Sequence, residues 1–132
     1  MGKKAIICVD DESIILESLH EQLEKCFGDA YIYETAESAE EAIEIIDELD
    51  EDDIEIAIIV SDWLMPGMKG DKFLLHVDLK YPRVVKVLLT GQADQESIDN
   101  LKELADLFTL VPKPWNKDEL VNIIKSELNI NG

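Results

Sequence analysis

The chain is short of positive charge. Twelve Lys and Arg stand against thirty Asp and Glu in 132 residues, a formal net charge of −18. That imbalance disfavours binding of the isolated chain to a nucleic-acid backbone. The deficit is uneven: no Lys or Arg occurs between Lys25 and Lys69, and twelve of the twenty-two residues from Glu34 to Glu55 are acidic. Such a run ordinarily forms a solvated helix face followed by an acidic loop. Asp50-Glu51-Asp52-Asp53 lacks the spaced ligands and central glycine of an EF-hand loop, so calcium is set aside. Cysteine is scarce too, and Cys8 and Cys26 make neither a metal spacing nor a disulfide framework. No apolar run approaches the roughly 18 residues of a membrane span. The apolar residues after Met1-Gly2-Lys3-Lys4 are too few for a secretory signal. What remains is a soluble, cytoplasmic protein with 46% hydrophobic residues, enough to fill the core of one domain.

The hydrophobic pattern alternates between two periods. Ala5 to Val9 is a short continuous apolar run, as expected of a strand buried on both faces. Ser13 offers an N-cap, and Ile15, Leu16, Leu19, Leu23 and Phe27 recur at helical spacing until Gly28. Tyr31 to Tyr33 reads as a more polar edge strand, and Ser38 opens a helix with Ala39, Ala42, Ile43, Ile46 and Leu49 inward. Ile56 to Val60 is the third strand, and a helix over Asp71 to Lys80 ends before Pro82. A fourth strand from Val84 ends at Thr90-Gly91, a helix follows over Asp94 to Leu104, a fifth strand over Leu107 to Val111, and a last helix over Asn116 to Leu128. Five strands alternating with five helices across short connections predict a doubly wound α/β domain with a parallel sheet.

In such a sheet, ligands sit beyond the carboxyl ends of the strands, at the point where strand order reverses. The first strand ends in Asp10-Asp11-Glu12, the third in Asp62, the fourth in Thr90 and the fifth in Lys113-Pro114. Singly, each has an ordinary explanation as a turn or cap residue. Jointly they are groups suited to one phosphoryl chemistry. Asp10, Asp11 and Asp62 brought together repel one another unless a cation is present, and oxygen-only donors favour a hard ion such as Mg²⁺. The Gly-rich turn of a dinucleotide site and the GxxxxGK[ST] loop are both missing, and Asp10 and Asp11 would repel the phosphate of a flavin nucleotide. Leu64 stands where a haloacid dehalogenase-like phosphatase has its second Asp. His20 and His76 fall within helical patterns, away from the strand ends.

Ile7 to Glu12, Val60 to Gly70 with its Asp62-Trp63-Leu64-Met65-Pro66-Gly67 core, Leu88-Leu89-Thr90-Gly91, and Pro112-Lys113-Pro114-Trp115 stand in an order and spacing that resemble the receiver domain of two-component response regulators. The resemblance covers the whole chain. It implies a flavodoxin-like sheet of order 2-1-3-4-5 and a phosphorylation-dependent signalling switch rather than an enzyme. Asp62 would be the phosphoacceptor. Asp10, Asp11, Asp62 and the main-chain carbonyl of Leu64 would hold Mg²⁺, Thr90 and Lys113 would contact phosphoryl oxygens, and Lys113–Pro114 would be cis. Gln92 and Leu64 would flank the path of the attacking water.

The implied partners are a sensor histidine kinase or phosphotransfer protein and a downstream effector or fused output domain. The latter would meet the face made by the helix over Asp94 to Leu104, the fifth strand and the last helix, which would also serve a homodimer. No output domain follows the last helix, so residues 1–132 read as a single receiver domain. A small Mg²⁺-dependent phosphatase and a pseudo-receiver that is never phosphorylated are the competing classes. One departure stands out. Receivers usually carry an aromatic three residues before the lysine, where this chain has Leu110, with Phe108 two residues earlier on the same strand face.

Overall fold

The structure, a computed structural model, describes residues 2–91, 103 and 108–131, the last three of these as backbone. Its elements are β1 (Lys4–Val9), α1 (Ser13–Phe27), a 3₁₀ turn (Gly28–Ala30), β2 (Tyr31–Ala36), α2 (Ala39–Glu51), β3 (Ile56–Asp62), α3 (Gly70–Lys80), β4 (Val85–Thr90), β5 (Thr109–Pro112) and α4 (Lys117–Asn131). All four strand pairings are parallel, in the order β2-β1-β3-β4-β5. The predicted sheet is therefore present. Four α-helices are found among the described residues, and the fifth expected, over Asp94 to Leu104, lies outside them but for Glu103. Among the described residues no helix is long and apolar enough to cross a membrane.

Alternation along each strand splits the core in two. Ile7, Val9, Ile59, Leu88 and Phe108 face α2 and α3, packing with Ile46, Phe73, Leu74 and Val77. Ile6, Cys8, Ile58, Val60, Val87, Leu89 and Val111 face α1 and α4, packing with Leu16, Leu19, Leu23, Leu120 and Ile124. A fully buried leucine such as Leu19 contributes about 2–3 kcal/mol by removal from water. Phe108 is buried and Leu110 half-buried, both against the α2–α3 side, as strand alternation predicts.

Element ends differ from the sequence reading where tertiary pairing decides them. The N-cap of α1 is Glu12 rather than Ser13, which is already helical. Here the carboxylate of Asp10 accepts the Glu12 N–H at 2.9 Å, so the turn is shaped from outside the helix. Gly28 does end α1, at φ 58°, and Tyr33 Oη–H donates to its carbonyl at 2.7 Å. Ser38 caps α2 by accepting the Glu41 N–H at 3.1 Å. β2 runs on to Ala36 because all six of its residues pair with β1. α3 starts one residue early, at Gly70, whose N–H donates to the carbonyl of Trp63 at 2.7 Å. β5 starts at Thr109, where its pairing with Val87 begins. The acidic run Asp50 to Asp53 closes α2 in a turn, with Asp53 at φ 57° and Ile54 N–H donating to the Leu49 carbonyl at 2.8 Å.

Candidate functional site

The register of the sheet assembles the site. Val9 pairs with Ser61, so Asp10 and Asp62 stand side by side one residue further on. Asp62 pairs with Leu89, which brings Thr90 to the same edge, and Thr90 pairs with Pro112, which brings Lys113. Four residues from four strands thus meet at the carboxyl edge, on either side of the reversal in strand order between β1 and β3.

Asp10 is wholly buried. Its N–H donates to the Ala36 carbonyl at 3.1 Å, and its carboxylate accepts from Glu12 N–H and from Lys113 Nζ, the latter at 3.1 Å. Lys113 Nζ is also 3.1 Å from Asp62 Oδ1, so one ammonium bridges two carboxylates. The Lys113 N–H donates to the Thr90 carbonyl at 2.7 Å, and Lys113–Pro114 is cis. Thr90 is buried, whereas Asp11 is exposed at the mouth of the cluster. One ligand oxygen from each of Asp10, Asp11 and Asp62 lies within 4.8 Å of the other two. Leu64 follows in the β3–α3 loop with its side chain exposed. Gln92 lies outside the described residues. His20 is half-buried, stacked on Tyr33 with Nε2 3.0 Å from Glu24, and His76 is exposed; neither belongs to the site.

Three carboxylates and one ammonium make the cluster formally −2. Burial pushes the Asp62 carboxyl above its ordinary range, and the charges of Asp10 and Asp11 push the same way, against the hydrogen bond from Lys113. Burial works against the Lys113 ammonium, yet its hydrogen bonds to Asp62 and Asp10 hold its pKa above the usual lysine value. Both groups favour their protonated forms, Asp62 chiefly because it is buried and Lys113 because two carboxylates accept its hydrogen bonds. This donor set is hard, oxygen-only and underneutralised, and it fits a divalent cation such as Mg²⁺.

Two further residues make contacts that no charge pattern announces. A Cβ on Gly70 would run into the main-chain carbonyl of Asp62, so α3 can approach the end of β3 only with glycine there. Gln22 of α1 accepts a hydrogen bond from Trp115 Nε1–H at 3.1 Å. Gln22 lies on the inward side of the α1 pattern, yet nothing in the local spacing names its partner 93 residues away.

Residues 6–125 match the response regulator receiver domain family. The chain belongs to that family. Receiver domains are phosphorylation-dependent signalling switches, which bind Mg²⁺ at an acidic pocket and pair with histidine kinases and output domains. Among curated relatives, the hydrogenase transcriptional regulatory protein HoxA of Cupriavidus necator is 27% identical over 127 residues, covering 96% of this chain and 24% of that protein. The sensor kinase CckA of Brucella abortus is 31% identical over 74 residues, covering 56% of this chain and 8% of that protein. This receiver thus spans about a quarter or less of the length of either relative. Among solved structures, a CheY-like receiver domain protein of Methanospirillum hungatei is 27% identical with a TM-score of 0.80, covering 98% of this chain and 97% of that one. The beryllofluoride-activated receiver domain dimer of NtrC4 is 25% identical, also with a TM-score of 0.80, covering 97% and 98%.

Proposed function

We propose that this receiver accepts a phosphoryl group on Asp62, with Asp10, Asp11, Asp62 and the main-chain carbonyl of Leu64 holding Mg²⁺. The observation that carries the reading is the bridged cluster: three carboxylates whose oxygens lie within 4.8 Å, two of them joined through Lys113. The donor is a phosphohistidine on a sensor kinase or phosphotransfer protein. An Asp62 oxygen attacks phosphorus as the P–N bond breaks, a P–O bond forms, and the departing imidazole carries off the proton it holds. Mg²⁺, when bound, neutralises charge on the transferring group. Lys113 exchanges its contact with the Asp62 carboxylate for a charge-assisted hydrogen bond to a phosphoryl oxygen. The Thr90 hydroxyl donates to another. The acyl phosphate is labile, so the domain resets itself by hydrolysis and needs no external substrate.

The signal leaves through the face that carries β5 and α4, toward an effector, an output domain or a second copy, in a cytoplasmic setting. Leu110 cannot swing a large ring between exposed and buried states. Repacking of Phe108 with backbone shifts in β4 and β5 therefore carries the coupling. Any signal requires an effector that binds the two states with different affinity.

Incubation with acetyl phosphate and Mg²⁺, followed by intact-mass and peptide mass spectrometry, tests the assignment. One base-labile phosphoryl group per chain is expected, on Asp62, absent from Asp62→Asn. Phosphate on another residue, or undiminished labelling of Asp62→Asn, overturns the assignment. Sustained turnover of external phosphate esters would indicate a phosphatase instead.

A further inference from the structure

Lys113 opens the short loop between β5 and α4, and that loop is fastened to α1 by a partly buried polar contact. Trp115, two residues past Lys113, packs its indole against the α1–α4 side of the core. Its Nε1–H donates to Gln22 Oε1 at 3.1 Å, and Gln22 Nε2 donates in turn to Ser18 Oγ at 2.8 Å. Gln22 is only 9% exposed. A glutamine is an uncommon choice for such a place, because a buried amide left unpaired is penalised. Here the indole and the serine hydroxyl take up both ends of the amide. The same helix begins right after the Asp10-Asp11-Glu12 turn. α1 therefore has the acidic pair just before its first turn and the Trp115 anchor further along.

We propose that Gln22 is a positioning residue for Lys113. By holding the Trp115 indole in one orientation, it fixes the segment from Lys113 to Trp115 and so the place at which the ammonium meets Asp10 and Asp62. This rests on the phosphoacceptor reading above. Gln22→Leu removes the acceptor, strands the indole N–H and frees the loop. Gln22→Glu keeps an oxygen in place for the indole and an acceptor for the Ser18 hydroxyl. Asp10, Asp11 and Asp62 are untouched by either change, so metal binding and phosphoryl chemistry separate.

The test measures Mg²⁺ affinity by titration of tryptophan fluorescence, beryllofluoride affinity, and the rate of acetyl-phosphate labelling, in wild type, Gln22→Leu, Gln22→Glu and Trp115→Phe. Gln22→Leu and Trp115→Phe are each expected to lower beryllofluoride affinity and labelling rate about tenfold, the scale of a small misplacement of a reacting group. Mg²⁺ affinity is expected to change much less than beryllofluoride affinity, because the three carboxylates of the cluster stay in place. Gln22→Glu is expected to keep the wild-type labelling rate and beryllofluoride affinity, at lower stability because its carboxylate is buried. Wild-type labelling in Gln22→Leu, or a proportional loss of Mg²⁺ affinity, overturns the positioning role. If Gln22→Leu does not fold, the contrast between Trp115→Phe and Gln22→Glu decides, and equal behaviour of those two overturns it. A wild-type protein without any beryllofluoride response overturns the phosphoacceptor reading itself, which a failure confined to the variants does not.

Discussion

Asp62→Asn is expected to stabilise the metal-free protein while abolishing its phosphorylation. Oxygens of Asp10, Asp11 and Asp62 lie within 4.8 Å of one another, and Lys113 Nζ is 3.1 Å from Asp62. At an effective dielectric of about 20, each carboxylate pair at that separation repels by about 3.5 kcal/mol, and Lys113 attracts Asp62 by about 5 kcal/mol. Asp11 is exposed, so solvent weakens its share, and the Coulomb contributions nearly cancel. Burial of the carboxylate then decides the sign, in keeping with the upward displacement of the Asp62 pKa.

Replacing the carboxylate with its neutral isostere is expected to gain about 1–2 kcal/mol, the scale of a single substitution that relieves an unfavourable local burial. For a domain of this size that corresponds to a rise of about 3–6 °C in Tm. A folded-state pKa above the unfolded value means the native protein binds the proton more readily. The destabilisation is therefore fully present above the folded pKa and is relieved as pH falls through it toward the ordinary aspartate value. The advantage of Asp62→Asn over wild type should shrink across that window, because protonation of Asp62 does the same work as the substitution. Magnesium is expected to narrow the difference. Binding only the native state, it stabilises wild type by about 1.4 kcal/mol at tenfold excess over Kd, and the variant, short of one ligand, gains less. Thermal melts of both proteins across pH at constant ionic strength, with and without Mg²⁺, measure all of this. A metal-free Asp62→Asn that melts below wild type, or a difference that does not vary with pH, would refute the reasoning.

Lys113→Ala leaves the carboxylates of Asp10 and Asp62 without their shared cation. Metal-free stability is expected to fall by about 2–4 kcal/mol in urea titrations, and labelling by acetyl phosphate to slow; unchanged stability would mean the bridge is not formed in solution. Gly70→Ala drives a methyl group into the Asp62 carbonyl and is expected to destabilise by about 2–3 kcal/mol while impairing phosphorylation, so a wild-type melt would disprove that close approach. Burial pushes the Cys8 thiol up to about 12, whereas Cys26 is half-buried. An aromatic disulfide reagent at neutral pH should therefore modify one thiol per native chain and two only after denaturation. Rapid modification of Cys8 in the native protein would contradict its place in the core.

Fold class and the residues that converge at the candidate site are legible in the sequence alone. Strands such as Ala5 to Val9 and Ile56 to Val60 are buried along most of both faces, so their apolar runs are continuous, while the helices face the core with one side and show the helical period. That alternation, with an acid, a hydroxyl or a lysine at the strand ends, can be read because both signals are local. Parallel register then converts strand ends into neighbours, which is why Asp10, Asp62, Thr90 and Lys113 can be named from their places in the chain.

Tertiary structure decided what depends on partners distant in the chain. β2 extends to Ala36 because β1 offers six residues to pair with, although its own sequence turns polar after Tyr33. The cap of α1 falls on Glu12 and not on Ser13 because a side chain from the preceding strand end, Asp10, orders the turn. The double contact of Lys113 with Asp10 and Asp62, the need for glycine at position 70 and the bond between Gln22 and Trp115 arise where separate elements converge. Hydrophobic periodicity fixes which face of an element turns inward. It carries no information about which polar atom waits on the other side, because hydrogen bonds and ion pairs depend on positions to within a fraction of an ångström, and only the packed structure supplies those.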